Sequence, residues 1–220
     1  MASLDENFNV VFPVVTDRVT RKEKDKVTGE EKDVHENIVR VHAFHTPISK
    51  AVFDQNFALL AATKATLEGK GRQYLMSAGP RVAALTLRAE GLRDAEERGY
   101  VDDNGKPKED EVKAFFAELR RLTTILCPGS GGWEMLPVDL AISGGKIDAE
   151  DWEEVEASIV FFCCHWSMAK KSDRKRIGQS TATFLKASTT PSPLSVYLAS
   201  LPNLTQAATS VHKAVSSVPS

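Results

Sequence analysis

The sequence is poor in the residues that build covalent or metal-based scaffolds. It holds three cysteines, at 127, 163 and 164. An odd count with two immediate neighbours gives no disulfide framework, because a bridge between neighbours is strained. A reduced cytoplasmic chain is the expectation. A long apolar run is also missing. Nothing approaches the roughly 20 residues of a spanning helix, and the first fifteen residues lack the basic-then-apolar pattern of a signal peptide. Charge of one sign is missing too. Against 28 Lys and Arg stand 30 Asp and Glu, a net charge of −2, so no global cationic field would hold a polyanion and any basic function must be local.

What is present reads as an ordinary globular chain of 220 residues, 42 % apolar and 26 % charged, long enough for a substantial core. "NFNVVFPVVTDRV" is rich in Val and Phe, and "IVRVHAF" alternates, with Ile38, Arg40, His42 and Phe44 on one side and Val39, Val41 and Ala43 on the other. Both predict strands. A charged stretch carrying Gly29 separates them, so they form a β-hairpin with a long polar tip. Pro13 belongs at an edge or bulge.

From Thr46, a candidate cap followed by Pro47, the period becomes helical. Val52, Phe53, Phe57, Leu60 and Leu67 recur about once per turn, and Gly69 and Gly71 end the stripe. Pro80 opens a second helix that carries Gly91. Acids 109–111 open a third, whose stripe of Val112, Phe115, Phe116, Leu119 and Leu122 runs on to Ile125 and Leu126, with "GSGG" closing it. "MLPVDLAISGG" predicts a short helical turn. Asp148 and Asp151 suggest a capping box for a helix that begins acidic and ends basic, "AEDWEEVEASIVFFCCHWSMAKK". After residue 187 the Ser/Thr/Pro/Ala-rich sequence predicts disorder, with a short helix at "PLSVYLASL". The resulting expectation is a mainly α fold, a helical bundle in three parts: a β-hairpin element (1–46), a helical domain (47–176) and a flexible tail (177–220).

No catalytic, metal or cofactor constellation emerges. Cys163 and Cys164 point about 100° apart on a helix and cannot share a tetrahedral metal, so they read as core residues. His165 and Cys164 are adjacent and do not face each other, and Cys127 precedes Pro128 at a presumed helix end. His42 and His45 fall on opposite faces of a strand. "ISGGK", ending in Lys146, lacks the strand and Ser/Thr of a phosphate loop. The run Lys170, Lys171, Arg174, Lys175 and Arg176 suits phosphate contacts, or simply a solvated basic terminus.

Beyond these patterns, "VHAFHTPISKAVFDQNFALLAATKATL" through "GPRVAALTLR", followed by "LPVDLAISGGKIDAEDWEEVEASIVFF", resembles tail assembly chaperones of long-tailed (siphovirus-type) bacteriophages over roughly 8–176. The resemblance implies a non-enzymatic protein of the host cytoplasm, absent from the mature virion. It would bind and solubilise the tape measure protein, with tail tube protein as a second partner, and it would self-associate. The apolar residues available to such a client are Val52, Phe53, Phe57, Leu60, Phe115, Phe116, Leu119, Phe161 and Trp166; for any single one of them, ordinary core is the better reading. A structural virion protein (connector or tail completion factor) and a small nucleic-acid-binding regulator using Lys170 to Arg176 are the alternatives.

Overall fold

The computed structural model describes residues 8–24, 31–71, 74 and 78–202. Its centre is a five-stranded antiparallel sheet in the order β4-β3-β2-β1-β5. β1 (Asn9–Lys24) and β2 (Glu31–His45) form the expected hairpin. They are joined by β3 (Thr123–Gly129), β4 (Gly132–Pro137) and β5 (Ser188–Thr190). The mainly α expectation is therefore wrong: the fold is mixed α/β, and the sheet draws strands from all three stretches proposed as separate parts.

The error has a local cause. α4 (Asp110–Arg121) keeps the predicted stripe only to Leu119. Leu122, Ile125 and Leu126 continue its spacing by coincidence. The β-branched Thr123, Thr124 and Ile125 resist helix and favour a pleated surface, and β3 starts there. Its alternation puts Ile125 and Cys127 in the main core and Leu126 in a second cluster behind the sheet. "GSGG" does not close a helix. It turns the β3–β4 hairpin, with Gly129 opposite Gly132 and Gly132 at φ 127°, a conformation that excludes most side chains. The expected helical turn in "MLP" is likewise strand β4, with α5 (Val138–Ser143) after it.

All the helices but the last cover one face of the sheet. The first helical stretch starts later than Thr46, whose amide instead donates to the Leu122 carbonyl. Ser49 caps α1 (Lys50–Gln55) by accepting from the Val52 amide, and the chain breaks at Asn56 before α2 (Phe57–Gly69). α3 is Arg81–Glu97. α6 (Ala149–Trp166) is the central element, packed on α2, α3, α4, β1 and the following helix α7 (Arg174–Phe184). Its capping box closes in both directions: the Asp151 amide donates to Asp148 at 2.7 Å, and the Asp148 amide to Asp151 at 3.0 Å. Twelve of its 18 residues are buried, so its apolar middle is core on nearly every side.

The tail expectation also needs correction. After α6 a turn leads to α7 (Arg174–Phe184), then β5, which pairs with Asn9–Val11, then α8 (Leu194–Ser200), near the short helix foreseen at "PLSVYLASL". Phe8 and Trp166, stacked at 5.7 Å, press so closely on Gly178 that a Cβ there would lie 2.5 Å from the Phe8 ring. That close approach docks α7, and low sequence complexity hid it. Residues 203–220, and the polar tip around Gly29, lie outside the described residues.

β1 and β2 pair over their whole length, interrupted by a bulge beside Pro13. Their neighbours stop early. β5 reaches only Val11, and β3 only His42. Beyond these points, among the described residues, the hairpin is a two-stranded ribbon of roughly 30–35 Å at ~3.3 Å per residue. Its register sets Lys22 opposite Asp33, Glu23 opposite Lys32 and Lys24 opposite Glu31.

Candidate functional site

α3, α4 and α6 do not close completely on one another. Between them, with the end of α5 at one side, opens a cleft of about 610 Å³. α3 contributes Arg88 and Leu92, α4 contributes Val112, Phe116, Ala117 and Arg120, and α6 contributes Trp152 and Glu156. Sequence periodicity explains the set. Arg88 and Leu92 are one turn apart, as are Val112 and Phe116, and Trp152 and Glu156.

The cleft is organised around a buried carboxylate. Glu156 accepts from Trp152 Nε1 at 3.1 Å and from Arg88 Nη2 at 3.2 Å, with only 7 % of its side chain exposed. Burial raises its pKa, and Arg88, the Trp152 hydrogen bond and Arg120 act against that rise. The Arg88 guanidinium lies over the Phe116 ring at 4.5 Å and that of Arg120 over Trp152 at 5.3 Å, and Arg120 also pairs with Asp139. The two stacked guanidiniums keep donors available at an otherwise apolar wall.

Ala117 and Arg120 also line a second depression of about 510 Å³, whose far wall includes Met135, Leu136 and Val138. Met135 is 48 % exposed, and Leu140 on the neighbouring α5 is 57 % exposed. The two hollows thus form one surface running past α4, with Arg120 at the saddle. The lining holds apolar and aromatic walls, guanidiniums and carboxylates. Chemically, it can receive apolar side chains and offer donors to carboxylates or carbonyls at its rim.

Of the nine apolar residues singled out for a client, Phe116 reaches this cleft. Val52 and Phe115 line a separate hollow of about 420 Å³ on the other side of α4. Phe53 and Phe57 meet edge to face at 5.8 Å, with Phe57 half exposed. Leu60, Leu119, Phe161 and Trp166 are core. The residues that shape the cleft most, Arg88, Arg120, Trp152 and Glu156, were missed as a group. One signal was in the sequence: Glu156 falls one turn after Trp152 and one turn before Ile159 and Val160, on the apolar side of α6, and an acid on that side needs a partner.

The basic run lies around the turn between α6 and α7. Lys170, Lys171, Lys175 and Arg176 are exposed. Arg174 instead stacks over Trp166 at 5.5 Å, so it belongs partly to the fold. The thiols are all buried, and burial pushes Cys127 up to about 11 and Cys163 to about 12, with Cys164 raised as well. Lys146 donates to the Pro128 carbonyl at 2.9 Å and so ties the β3–β4 turn to the loop before α6. His42 and His45 do fall on opposite faces. His45 Nδ1 lies 2.9 Å from Thr123 Oγ1, while the His42 ring lies 5.5 Å from that of Trp133 on the outer face. Among the described residues, no group of three or more His, Cys, Asp or Glu could hold a metal ion, and no helix is long and apolar enough to cross a membrane.

Compared with known family models, curated proteins and solved structures, the chain matches none.

Proposed function

We propose that this chain is a non-catalytic chaperone for a long helical client, acting as a tail assembly chaperone of a long-tailed bacteriophage and keeping the tape measure protein soluble in the host cytoplasm. The observation that carries the proposal is the open, aromatic-walled cleft continued past α4 by the Met135 depression. A surface of this shape suits an amphipathic helix laid in a groove. Apolar client residues would fill the Phe116–Trp152 wall, and client acids would meet Arg88 and Arg120. The client chain is kept soluble because binding removes its apolar face from water. Self-association and recruitment of tail tube protein fit the same role, since a long client needs many copies along it.

The test is co-expression with the tape measure protein. Ala117 is exposed on α4 between the two hollows, and glutamate is nearly as good a helix former as alanine. Ala117→Glu combined with Met135→Glu should leave the chain folded and drop the client into the insoluble fraction. Equal client solubility with wild type and double variant would refute the cleft as the binding surface.

A second reading, a structural virion protein, is favoured by the projecting β1–β2 ribbon, whose edges beyond the sheet suit strand pairing with a neighbour. Mass spectrometry of purified particles separates the two, because a chaperone is absent from finished tails and a connector or completion factor is present.

A further inference from the structure

At the corner where α6 turns into α7, cations gather without acids. Residues 167–186 hold six Lys and Arg and a single acid, Asp173, in a chain whose net charge is −2. Lys170, Lys171, Lys175 and Arg176 are exposed. Asp173 pairs with Arg176 at 3.6 Å. Among the described residues, Lys170, Lys171 and Lys175 make no ion pair. On the other helices, cations meet acids about one turn away: Lys50 meets Asp54, Lys64 meets Glu68, Lys113 meets Glu109 and Arg121 meets Glu118. The corner departs from that habit, so its charge faces water without a counter-charge.

The corner is also held in place. The Lys170 carbonyl accepts from the amides of Asp173 and Arg174, both at 2.9 Å. The Arg174 guanidinium lies over Trp166 at 5.5 Å, and the close approach of Gly178 to Trp166 and Phe8 fixes α7 behind it. Lys175 and Arg176 stand in the first turn of α7, an 11-residue helix whose N-cap side chain makes no hydrogen bond. The positive end of that helix dipole adds to the same field. The backbone that carries the cations is therefore ordered before anything binds, which lowers the cost of binding.

We propose that the α6–α7 corner binds the phosphate backbone of a nucleic-acid duplex without reading its sequence. Contacts between such cations and phosphates give affinity and register, and carry no base information. A single strand would need exposed rings on which to stack its bases, and Trp166, the aromatic side chain at the corner, is fully buried. A membrane surface would need apolar residues beside the lysines, and a protein partner would need apolar or aromatic anchors. No large apolar side chain is exposed between 167 and 183. The corner follows the C-terminal end of α6, whereas Trp152 and Glu156 of the cleft come from its N-terminal half. The proposal therefore stands whether or not the cleft holds a client.

The probe is a fluorescein-labelled DNA duplex of about 20 base pairs, titrated with the full-length protein and followed by anisotropy between about 25 and 200 mM salt. Four exposed cations predict a log–log salt slope of about −3.6, which is a loss of roughly 150-fold in affinity between 50 and 200 mM. Lys170→Gln with Lys171→Gln and Lys175→Gln breaks no ion pair and should leave the chain folded, as urea unfolding would show. The slope should fall to about −1, and binding at 50 mM should weaken at least tenfold. Absence of duplex binding at about 25 mM salt, or an unchanged slope in the folded triple variant, overturns the proposal. Tighter binding of single-stranded oligothymidylate, of phosphatidylserine vesicles or of polyglutamate than of the duplex overturns it as well, by assigning the corner to a different polyanion.

Discussion

Gly91 tests the packing that sets the cleft. It lies within α3, where alanine would ordinarily stabilise by about 1 kcal/mol. A Cβ at this position would sit 2.1 Å from Val112 Cγ2 on α4. Val112 is buried and β-branched, so it has essentially one rotamer in a helix and cannot swing aside. Restoring ordinary contact at about 3.5 Å requires the two helices to part by more than about an ångström. Overpacking of this kind costs about 1–3 kcal/mol. Set against the propensity gain, Gly91→Ala should destabilise by about 1 kcal/mol, within a range of 0–2. In a Val112→Ala background the obstacle is gone, and the same change should stabilise by about 0.5–1 kcal/mol. The assay is urea unfolding of the four proteins of the cycle, comparing midpoints at constant m-value. A coupling of about 1.5 kcal/mol or more is expected for residues in direct contact. Additive effects, or a stabilised Gly91→Ala single variant, would refute the claim that close α3–α4 approach fixes the width of the cleft.

Two further outcomes follow from named groups. Thr123 donates its only hydroxyl proton to the Leu119 carbonyl, so His45 Nδ1 must donate to Thr123 Oγ1, and burial lowers the His45 pKa to about 3. The unfolded chain therefore binds the extra proton between about pH 6.5 and 3, and stability rises with pH across that window and is complete above it. From pH 7 to pH 5 His45 alone should remove about 2 kcal/mol of stability. His45→Gln should flatten the slope measured by urea unfolding, leaving the residue of the same sign from His42 and His165; an unchanged slope would sink the assignment. Lys186 follows α7 at φ 55°, where its own amide and that of Ala187 donate back to the Thr183 and Ala182 carbonyls, so Lys186→Gly should raise stability by about 0.5–1 kcal/mol despite glycine's greater unfolded-state entropy, read as a higher melting temperature.

The parts of the fold that were legible had a strong local signal. The β1–β2 alternation, the acidic start and Asp148 cap of α6, and the stripe of α4 to Leu119 all appear where their patterns put them. What stayed hidden depended on partners distant in sequence. β3 is a strand because β2 offers Ala43 and His42 an edge to pair, whereas its spacing alone continues a helical stripe. β5 has three residues and no pattern of its own. Gly91 lowered the apparent helix propensity of α3, and only the proximity of Val112 explains its presence. At the cleft, Phe116 was visible as an apolar residue, but Arg88, Trp152 and Glu156 come from different helices and meet only through tertiary packing. The nine apolar candidates divided as burial physics dictates: large side chains at the centre of a stripe became core, and the cleft lining fell to residues at its margins.

One helix serves two purposes here. The N-terminal half of α6 supplies Trp152 and Glu156 to the cleft, and its C-terminal half, through Phe162 and Trp166, is locked under Phe8. A rigid rod shared in this way cannot yield at one end without disturbing the other. A ligand that binds the cleft only in the folded chain would therefore stabilise the whole rod, its Phe8 lock included, against global unfolding.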